Sequence, residues 1–423
     1  MSQLPEEVWI HVFGFLSNRD KLNVRSTCKS FLRLIDHWSL WKNAVVVMQK
    51  IGQYDSHFWS TLGKRKTRCI VVQKANVKDV QKLVTWLPWI SSLTLNQCSD
   101  GTALSTLGTL KHLRRLVIRQ CLCPSLTRSL SSLRQLTHLC LCEVQRASIM
   151  EISAAISQLV NLTTLYYHED KNPIPKNALH GMLKCLPNLK HLSLRMGPKY
   201  GILPDDYFCH TACESPGVTQ GGLTCLELKN YEDPYLSSAA ITRLSSLTKL
   251  TVHYKGWIVD TNQNNLANWL QGLPLLSELV ISLGYPLSVY AKSIPRTVTS
   301  LSLIGVRAEL ESVRIMGEQV PNLLHLHLDL CCHDSCDIIK EMPQIFPNLQ
   351  TLKVRHHDVP VSVFLGLQDL PRLEQLVILD APQSPSPTVL DLTQKLHVQT
   401  NNRIRVLHSV GPKDQTSCSC GFY

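Results

Sequence analysis

A six-residue pattern recurs along most of the chain and restricts its fold more than any other feature. The pattern is an apolar residue, two variable residues, an apolar residue, one variable residue and a last apolar residue, as in Leu113–Ile118. It occurs twelve times, from Ile90–Leu95 to Leu373–Ile378, at starts separated by 23, 23, 26, 27, 34, 24, 29, 22, 25, 26 and 24 residues. Such spacing indicates an array of similar units rather than one compact core.

Each copy has the periodicity of a short β-strand whose alternate apolar side chains point into a shared core. Helical stretches such as Ser148–Leu159 and Asn264–Leu273 lie between copies. Units of roughly 20–29 residues that combine one strand and one helix are typical of leucine-rich repeats. We therefore predict an α/β fold in which a curved solenoid carries a parallel sheet on its concave side.

The pattern also predicts the domain boundaries. We expect a small helical domain at 1–44, a linker at 45–66, a leucine-rich-repeat solenoid of about 12–14 repeats at 67–406, and a C-terminal tail at 407–423. Thr67–Val72 is the predicted first strand and Asn402–Val406 the predicted closing strand. The long interval contains an inserted loop at 197–222, rich in Gly and Pro, which is either a binding loop or a tolerated surface insertion.

The first forty or so residues hold more apolar surface than so short a segment can bury by itself. Pro5 fits the first turn of a helix, and a second helical segment follows Asp20, a suitable N-cap. Near-helical spacing, which predicts one apolar side, is shared by Val8, Val12, Phe13 and Leu16. Part of this surface is expected to meet another element or a partner.

This segment resembles an F-box. The resemblance rests on Leu4-Pro5, the apolar helix through Leu16, Arg19-Asp20 before Leu22, then Cys28, and Leu40-Trp41 at the end. The chain departs from the common pattern of that family at Thr27-Cys28 and Phe31. Together with the repeats, the whole chain resembles the F-box and leucine-rich-repeat proteins.

The resemblance implies a function and a set of contacts. An F-box of this family docks on a Skp-type adaptor, which links it to a cullin scaffold and a RING subunit. The adaptor-binding positions that the resemblance implies are Leu4, Pro5, Val8, Phe13, Leu16, Leu22, Leu40 and Trp41. The chain would then be a non-catalytic receptor that captures a substrate protein for ubiquitination.

The net charge of +11 arises in one part of the chain. Residues 61–150 hold fourteen Lys and Arg against three Asp and Glu, and the rest of the chain sums to zero. A basic segment of this kind attracts acidic or phosphorylated peptides, or nucleic acid. Aromatic residues are only 6% of the chain and form no stacking array, which argues against nucleic acid.

Variable positions of the strand pattern are expected to face the concave side. The predicted substrate-binding residues there are Arg115, Arg119, Tyr166, Arg195, Lys229, Lys249, Lys353 and Arg355. Arginine can hold a carboxylate or phosphate with two hydrogen bonds, so this face suits an acidic or phosphorylated protein segment. The alternative is that these charges only solvate the surface.

The sequence predicts no catalytic residue, no metal and no cofactor. GxxxxGK[ST], GxSxG and HExxH motifs are absent. Cys331, Cys332, His333 and Cys336 resemble a zinc ligand set. However, Cys331 stands eight residues after a repeat start, as Cys121 does, where a turn residue is expected. A cysteine-dependent ligase stays possible, although no thiol is singled out.

No stretch approaches ~18 uninterrupted apolar residues, and Glu6 and Glu7 stand where a secretory signal would be basic. We therefore expect a cytoplasmic or nuclear protein, or one present in both compartments, with no membrane partner. The predicted function is the substrate-recognition subunit of an SCF-type ubiquitin ligase. The alternatives are a non-degradative scaffold and a nucleic-acid-binding repeat protein.

Overall fold

The computed structural model describes residues 4–74, 76–97, 106–121, 126–144, 149–169, 175–196, 203, 205, 207–208, 222–259, 264–331, 335–355, 359–379 and 387–408. The chain divides into two units. Unit 1 comprises Met1–Glu169 and Gly181–Asn188, and unit 2 comprises Asp170–His180 and Leu189–Tyr423. Most of the predicted loop at 197–222 and most of the predicted tail lie outside the described residues.

Three short helices open unit 1. They are α1 (Glu6–Gly14), α2 (Asn18–Arg25) and α3 (Lys29–Ile35), and a single 3-10 turn follows at Trp38–Leu40. Ser17 caps α2, because its Oγ accepts the backbone N–H of Asp20 at 3.1 Å. The cap predicted at Asp20 is thus corrected to Ser17. Asp20 lies in the first turn instead, where its carboxylate accepts the Ser17 hydroxyl at 2.6 Å.

Strands and helices alternate through the rest of unit 1. They are β1 (Val45–Met48), α4 (Ser56–Lys64), β2 (Cys69–Gln73), α5 (Val77–Trp86), β3 (Ser92–Asn96), β4 (Arg115–Arg119), α6 (Leu126–Ser131), β5 (His138–Cys142), α7 (Ile149–Ser157) and β6 (Thr164–His168). Helix α8 (Lys176–Cys185) has residues in both units. Strands β1 to β6 pair in chain order and in parallel, which confirms the α/β class.

Residues 45–66 are not a linker, which corrects the predicted boundary. Strand β1 pairs in parallel with β2, with Val45 opposite Cys69, and α4 packs Trp59 and Leu62 into the interior. Asp55 caps α4 by accepting the Phe58 N–H at 2.8 Å. The repeats therefore begin directly after the helical domain, with a unit that lacks the leucine pattern.

The end of each early strand has a backbone feature that repeats every 23 residues. Lys74, Gln97, Gln120 and Glu143 follow β2 to β5 and have φ values of 56°, 54°, 49° and 52°. This left-handed region of backbone angles is unfavourable for residues other than glycine. Each N–H offsets part of that cost by donating to the next strand, as Gln97 does to the Arg119 carbonyl at 2.9 Å.

Unit 2 continues the same arrangement. Its elements are β7 (His191–Arg195), β8 (Cys225–Tyr231), α9 (Ala239–Thr242), β9 (Lys249–Trp257), α10 (Asn265–Gln271), β10 (Glu278–Gly284), β11 (Ser300–Val306), α11 (Leu310–Gln319), β12 (His325–Leu330), α12 (Ser335–Ile345), β13 (Thr351–Val354), α13 (Val361–Leu365), β14 (Gln375–Ile378), α14 (Pro387–Gln399) and β15 (Arg405–His408). Strands β7 to β15 pair in parallel in chain order. The closing strand begins at Arg405, because Asn401 and Asn402 take positive φ after α14.

The core of each unit is a ladder of leucine and isoleucine side chains between strands and helices. In β4, for example, Leu116 and Ile118 are buried while Arg115 and Arg119 are partly exposed on the opposite sheet face. Within the described ranges, no helix has both the length and the apolar character needed to cross a bilayer.

Candidate functional site

The N-terminal helices pack around an aromatic core. Phe13, Leu40 and Trp41 are buried there, and Leu16 is partly buried against them. The Trp9 ring lies 4.9 Å from Phe31, and Phe13 lies 5.3 Å from Phe31, measured between ring centroids. Three of the predicted adaptor contacts, Phe13, Leu40 and Trp41, therefore hold the domain together from inside. Phe31, one of the departures from the family pattern, completes this core.

The opposite side of α1 is an exposed apolar stripe, formed by Leu4, Val8, Val12 and Phe15. Their exposed fractions are 49%, 40%, 42% and 79%. Val8 and Val12 are four residues apart on α1, and Phe15, three residues further, is its C-cap with helical backbone angles, so these three share one side; Leu4 directly precedes the N-cap residue Pro5. Val12 and Phe15 were absent from the predicted contacts, although this spacing is visible in the sequence.

The other predicted adaptor residues are also accessible. Pro5 is exposed at the start of α1, and Leu22 on α2 is 52% exposed. Leu32 on α3, which was not predicted, is 41% exposed. The small domain thus buries one apolar set and presents another to solvent.

A charged joint connects the N-terminal helices to the first repeat. Asp36 accepts two hydrogen bonds from Arg25, both at 2.9 Å, and one from Arg65 at 2.6 Å. The Arg65 guanidinium also lies over the Trp41 ring, 4.1 Å from its centroid. Burial acts to raise the pKa of Asp36, but the two guanidinium groups outweigh it and hold that pKa below its usual value.

The sheet face of unit 1 brings together Arg115, Arg119 and Tyr166, as predicted for the substrate surface. Val117 pairs in register with Cys140, and Cys140 with Tyr166, so β4, β5 and β6 present these side chains on one face. Burial, and to a smaller extent Arg119, lowers the pKa of the Arg115 guanidinium. Two partly desolvated cations on one strand favour an arriving carboxylate or phosphate.

Arg119 has a further property that suits an anion site. Its Nε and Nη2 atoms are buried and donate to no acceptor within the part of the chain that the structure describes. No acid among those residues forms an ion pair with it. Nearby, His138 has its pKa lowered by burial and then by Arg115, which indicates the same positive environment.

In unit 2, by contrast, acids already pair with several predicted cations. Lys229 Nζ lies 3.7 Å from the Glu227 carboxylate, which also accepts the Ser193 hydroxyl at 2.6 Å. Lys249 pairs with Glu278 in the adjacent strand. These cations are therefore less available to an acidic ligand than a count of charges indicates.

The remaining predicted residues of unit 2 differ in environment. Arg355 pairs with Asp329, with an Nη2 to Oδ2 distance of 2.9 Å. Arg195 lies in register with Lys229 on the neighbouring strand. Lys353 is exposed and lies in register with His327.

Cysteine and metal chemistry find little support in the described residues. Burial raises the pKa of the Cys225 thiol to about 11 and also raises that of Cys69, which disfavours the reactive thiolate. Cys121 occupies the expected turn position, and its Sγ approaches the Arg119 carbonyl at 3.0 Å. No group of three metal-binding side chains occurs among the residues described. Two members of the cysteine cluster, 332 and 333, lie outside them.

Comparison with known proteins gives one family match and two similar structures. The F-box-like family model matches residues 1–46. An internalin (InlF) from Listeria monocytogenes is 16% identical, over 71% of this chain and 82% of that chain, with a TM-score of 0.41. The complex of Rad7 and Elc1 in yeast contains a chain that is 15% identical, over 84% of this chain and 89% of that chain, with a TM-score of 0.50. No curated protein sequence matches the chain.

The family match coincides with the helices that form the aromatic core and the exposed stripe. At 15% identity, the likeness to the yeast structure indicates the fold alone. The predicted repeats are confirmed by the alternating parallel strands and helices of both units. The chain therefore carries an F-box-like domain at residues 1–46 followed by a leucine-rich-repeat fold.

Proposed function

We propose that the chain is the substrate-recognition subunit of an SCF-type E3 ubiquitin ligase. Its F-box-like domain binds a Skp-type adaptor, which connects it to cullin and RING subunits, and its repeats bind the target protein. The receptor itself is non-catalytic, since its partners supply the ubiquitin transfer, and it acts in the cytoplasm or nucleus. The apolar stripe of Leu4, Val8, Val12 and Phe15 carries this proposal.

Single exposed apolar side chains are common on soluble proteins, but a continuous set on one short helix is not. Phe15 is 79% exposed at the end of α1, so most of its ring contacts water in the isolated chain. Burying apolar surface contributes about 25 cal/mol per Å², and aromatic side chains often dominate the energy of an interface. A complex in which an adaptor covers the stripe would be stabilised by this burial.

Two further observations support the adaptor proposal. The residues matched by the F-box-like family include the whole stripe. The similar yeast repeat structure is itself a complex of two proteins, Rad7 and Elc1. Neither observation identifies the adaptor of this chain, which binding must test directly.

We place the target on the sheet face of unit 1, around Arg115, Arg119 and Tyr166. Arg119 there forms no ion pair with an acid among the described residues, and burial lowers the pKa of the neighbouring Arg115, whereas Lys249 and Arg355 of unit 2 already pair with carboxylates. The target segment is therefore acidic or phosphorylated.

The adaptor proposal can be tested with matched surface variants. Val8→Ser with Phe15→Ser removes the centre and end of the stripe, and Leu275→Ser with Val398→Ser removes two comparably exposed side chains from unit 2. Affinity for a purified Skp-type adaptor is measured by biolayer interferometry. We expect the stripe variant to bind at least ~30-fold more weakly and the control to bind like the wild type. Circular dichroism must show that both variants keep the native helix content.

Two results would overturn the adaptor proposal. One is wild-type affinity in the folded stripe variant, and the other is an absence of adaptor binding by the unmodified chain. Salt-sensitive binding of RNA or DNA without adaptor binding would favour the nucleic-acid alternative instead.

The target proposal needs a separate experiment. Proteins captured by the full chain are compared after proteasome and cullin activation are blocked, for the wild type and for Arg119→Glu. Arg372→Glu is the control, since Arg372 is exposed and lies before β14. We expect Arg119→Glu to lose captured targets but keep the adaptor. Unchanged capture would move the target site elsewhere.

A further inference from the structure

A cavity of about 560 Å³ lies in unit 1, outside the sheet face proposed for the target. Three of its lining residues, Arg68, Ser91 and Arg114, directly precede β2, β3 and β4. The cavity therefore opens where these strands begin, and we refer to it as the strand-start pocket. Its volume falls within the range of roughly 300–1,000 Å³ that small-molecule sites occupy.

The lining of the pocket is strongly basic. Lys66, Arg68, His112 and Arg114 contribute to it, and among the described residues no carboxylate does. Within the residues that the structure describes, Lys66, Arg68 and Arg114 form no ion pair with an acid. Like charges held this close repel one another, so an anion between them would relieve the repulsion and gain charge-assisted hydrogen bonds.

The pocket also has a flat apolar wall. The indole of Trp89 lines it, held in place because Nε1 donates to the Thr67 carbonyl at 3.1 Å. Gly63 lies beside the ring, where an added Cβ would come within 3.6 Å of it. The absence of a side chain at Gly63 keeps this part of the indole accessible to a ligand.

The position of Lys66 is set by the charged joint described above. Arg65 is held by Asp36 and Trp41, and Lys66 follows it with a φ of 47°. This conformation places Lys66 Nζ 4.8 Å from the Trp38 ring centroid, while the same side chain lines the pocket. A cation that lies beside an aromatic ring can still accept an anionic partner.

We propose that the strand-start pocket binds a phosphate-bearing ligand whose flat apolar part packs against Trp89. Arg68, Arg114 and Lys66 hold the phosphate, and arginine offers paired N–H groups that match its oxygens. The phosphate belongs either to a phosphorylated aromatic side chain of a protein or to a small phosphorylated compound. This site goes beyond the proposed adaptor and target surfaces and does not depend on either.

The experiment titrates the full chain alone, by calorimetry at constant salt. The probes are O-phosphotyrosine, inorganic phosphate and unmodified tyrosine. We expect O-phosphotyrosine to bind more tightly than phosphate, and tyrosine to show no binding, because the phosphate supplies the charge and the ring supplies stacking. A phosphotyrosine peptide is then compared with the free amino acid. Tighter binding of the peptide assigns the phosphate to a protein, and equal or weaker binding assigns it to a small compound.

Variants test whether the pocket is the site. Arg68→Gln with Arg114→Gln should weaken O-phosphotyrosine binding by at least about tenfold. Arg128→Gln with Arg134→Gln removes the same charge from exposed positions outside the pocket and should have little effect. Trp89→Leu should reduce the advantage of O-phosphotyrosine over phosphate.

The proposal is overturned if no phosphate probe binds, or if the pocket and control variants lose affinity equally. Equal loss would show that only net charge matters. Because no adaptor is present in this titration, failure of the pocket and failure of the proposed ligase function are distinguishable.

Discussion

Asp36→Asn should loosen the F-box-like domain, because Asp36 joins two arginines from different elements. The carboxylate accepts three hydrogen bonds from Arg25 and Arg65, and Arg65 in turn covers Trp41 of the aromatic core. Asparagine keeps the size of the side chain but removes its charge. It also cannot accept on both of its terminal atoms, so at least one of the three hydrogen bonds is lost.

The magnitude follows from the exposure of the two arginine side chains. Arg65 is 15% exposed and Arg25 is 38% exposed. Protected hydrogen bonds to charged groups contribute about 1.5–3 kcal/mol, whereas exposed ion pairs contribute about 0–1 kcal/mol. With the Arg25 interaction discounted for solvent, we expect Asp36→Asn to reduce the free energy of local opening by about 1–2 kcal/mol.

The measurement is hydrogen exchange of the amides in α1 to α3, followed by mass spectrometry. A loss of about 1–2 kcal/mol corresponds to exchange that is about 5–30-fold faster. Glu6→Gln is the control, since the Glu6 and Arg33 pair is 58% and 72% exposed. We expect less than about a twofold change there. Equal acceleration in both variants, or none in Asp36→Asn, would refute the reasoning.

The pH dependence gives an independent check of the same interaction. The pKa of Asp36 is lower in the folded chain, so its ionised form stabilises the domain above the unfolded pKa of about 4. That contribution is lost as the pH falls through the lowered folded pKa. The difference in exchange between wild type and Asp36→Asn should therefore shrink in acid, after correction for intrinsic exchange rates. If the difference in exchange between the wild type and Asp36→Asn did not change with pH, the destabilisation would result from packing and not from the charge of Asp36.

Two further variants test unit 2. Gly284→Ala should destabilise the chain by about 2–4 kcal/mol, because φ is +77° there and an added Cβ would overlap the Tyr254 ring. Gly256→Ala is the control, since its added Cβ would meet no atom of the described residues within 4 Å. Hydrogen exchange of β9 and β10 measures both variants. Burial raises the pKa of Asp233 despite a hydrogen bond from Tyr285, so stability should fall as the pH rises from the unfolded toward the folded pKa. Asp233→Asn should remove that fall, measured as urea unfolding midpoints across the acidic range.

The repeat strands could be predicted from the sequence because their core positions are chemically uniform. The pattern Leu113–Ile118 corresponds to β4 with a shift of two residues. The shift arises because Leu113 is buried in the turn before the strand, where its N–H donates to the Leu110 carbonyl. A leucine pattern therefore marks the turn and the strand together.

The first strand could not be predicted in the same way. Val45–Met48 lacks the spaced leucines, and only its pairing with β2 identifies it as a repeat strand. A strand of four residues is defined by its neighbour more than by its own sequence. The linker prediction was wrong because it relied on the pattern alone.

The sequence also could not predict which side of α1 packs against the other helices. Grouping Val12 with Phe13 on one side was wrong, because Phe13 packs against Phe31 of α3 while Val12 is 42% exposed. Helix α1 has apolar residues on two sides, so its own periodicity permits either side to face inward. The aromatic side chain on α3 selects the side with Trp9 and Phe13.

The positive charge of the first repeats lies on more than one surface of unit 1. Every excess positive charge of the chain falls in residues 61–150, and the structure uses Arg65 for the joint with Asp36. Adjacent residues then serve different surfaces, since Arg114 lines the strand-start pocket and Arg115 lies on the sheet face. Charges that only keep a protein soluble are expected on fully exposed surface, because desolvation disfavours a charge on a concave or partly buried surface. The charges here lie on two surfaces of the latter kind. Ligands that carry negative charge would supply the compensation, and the separate variants at Arg114 and Arg119 tell the two surfaces apart.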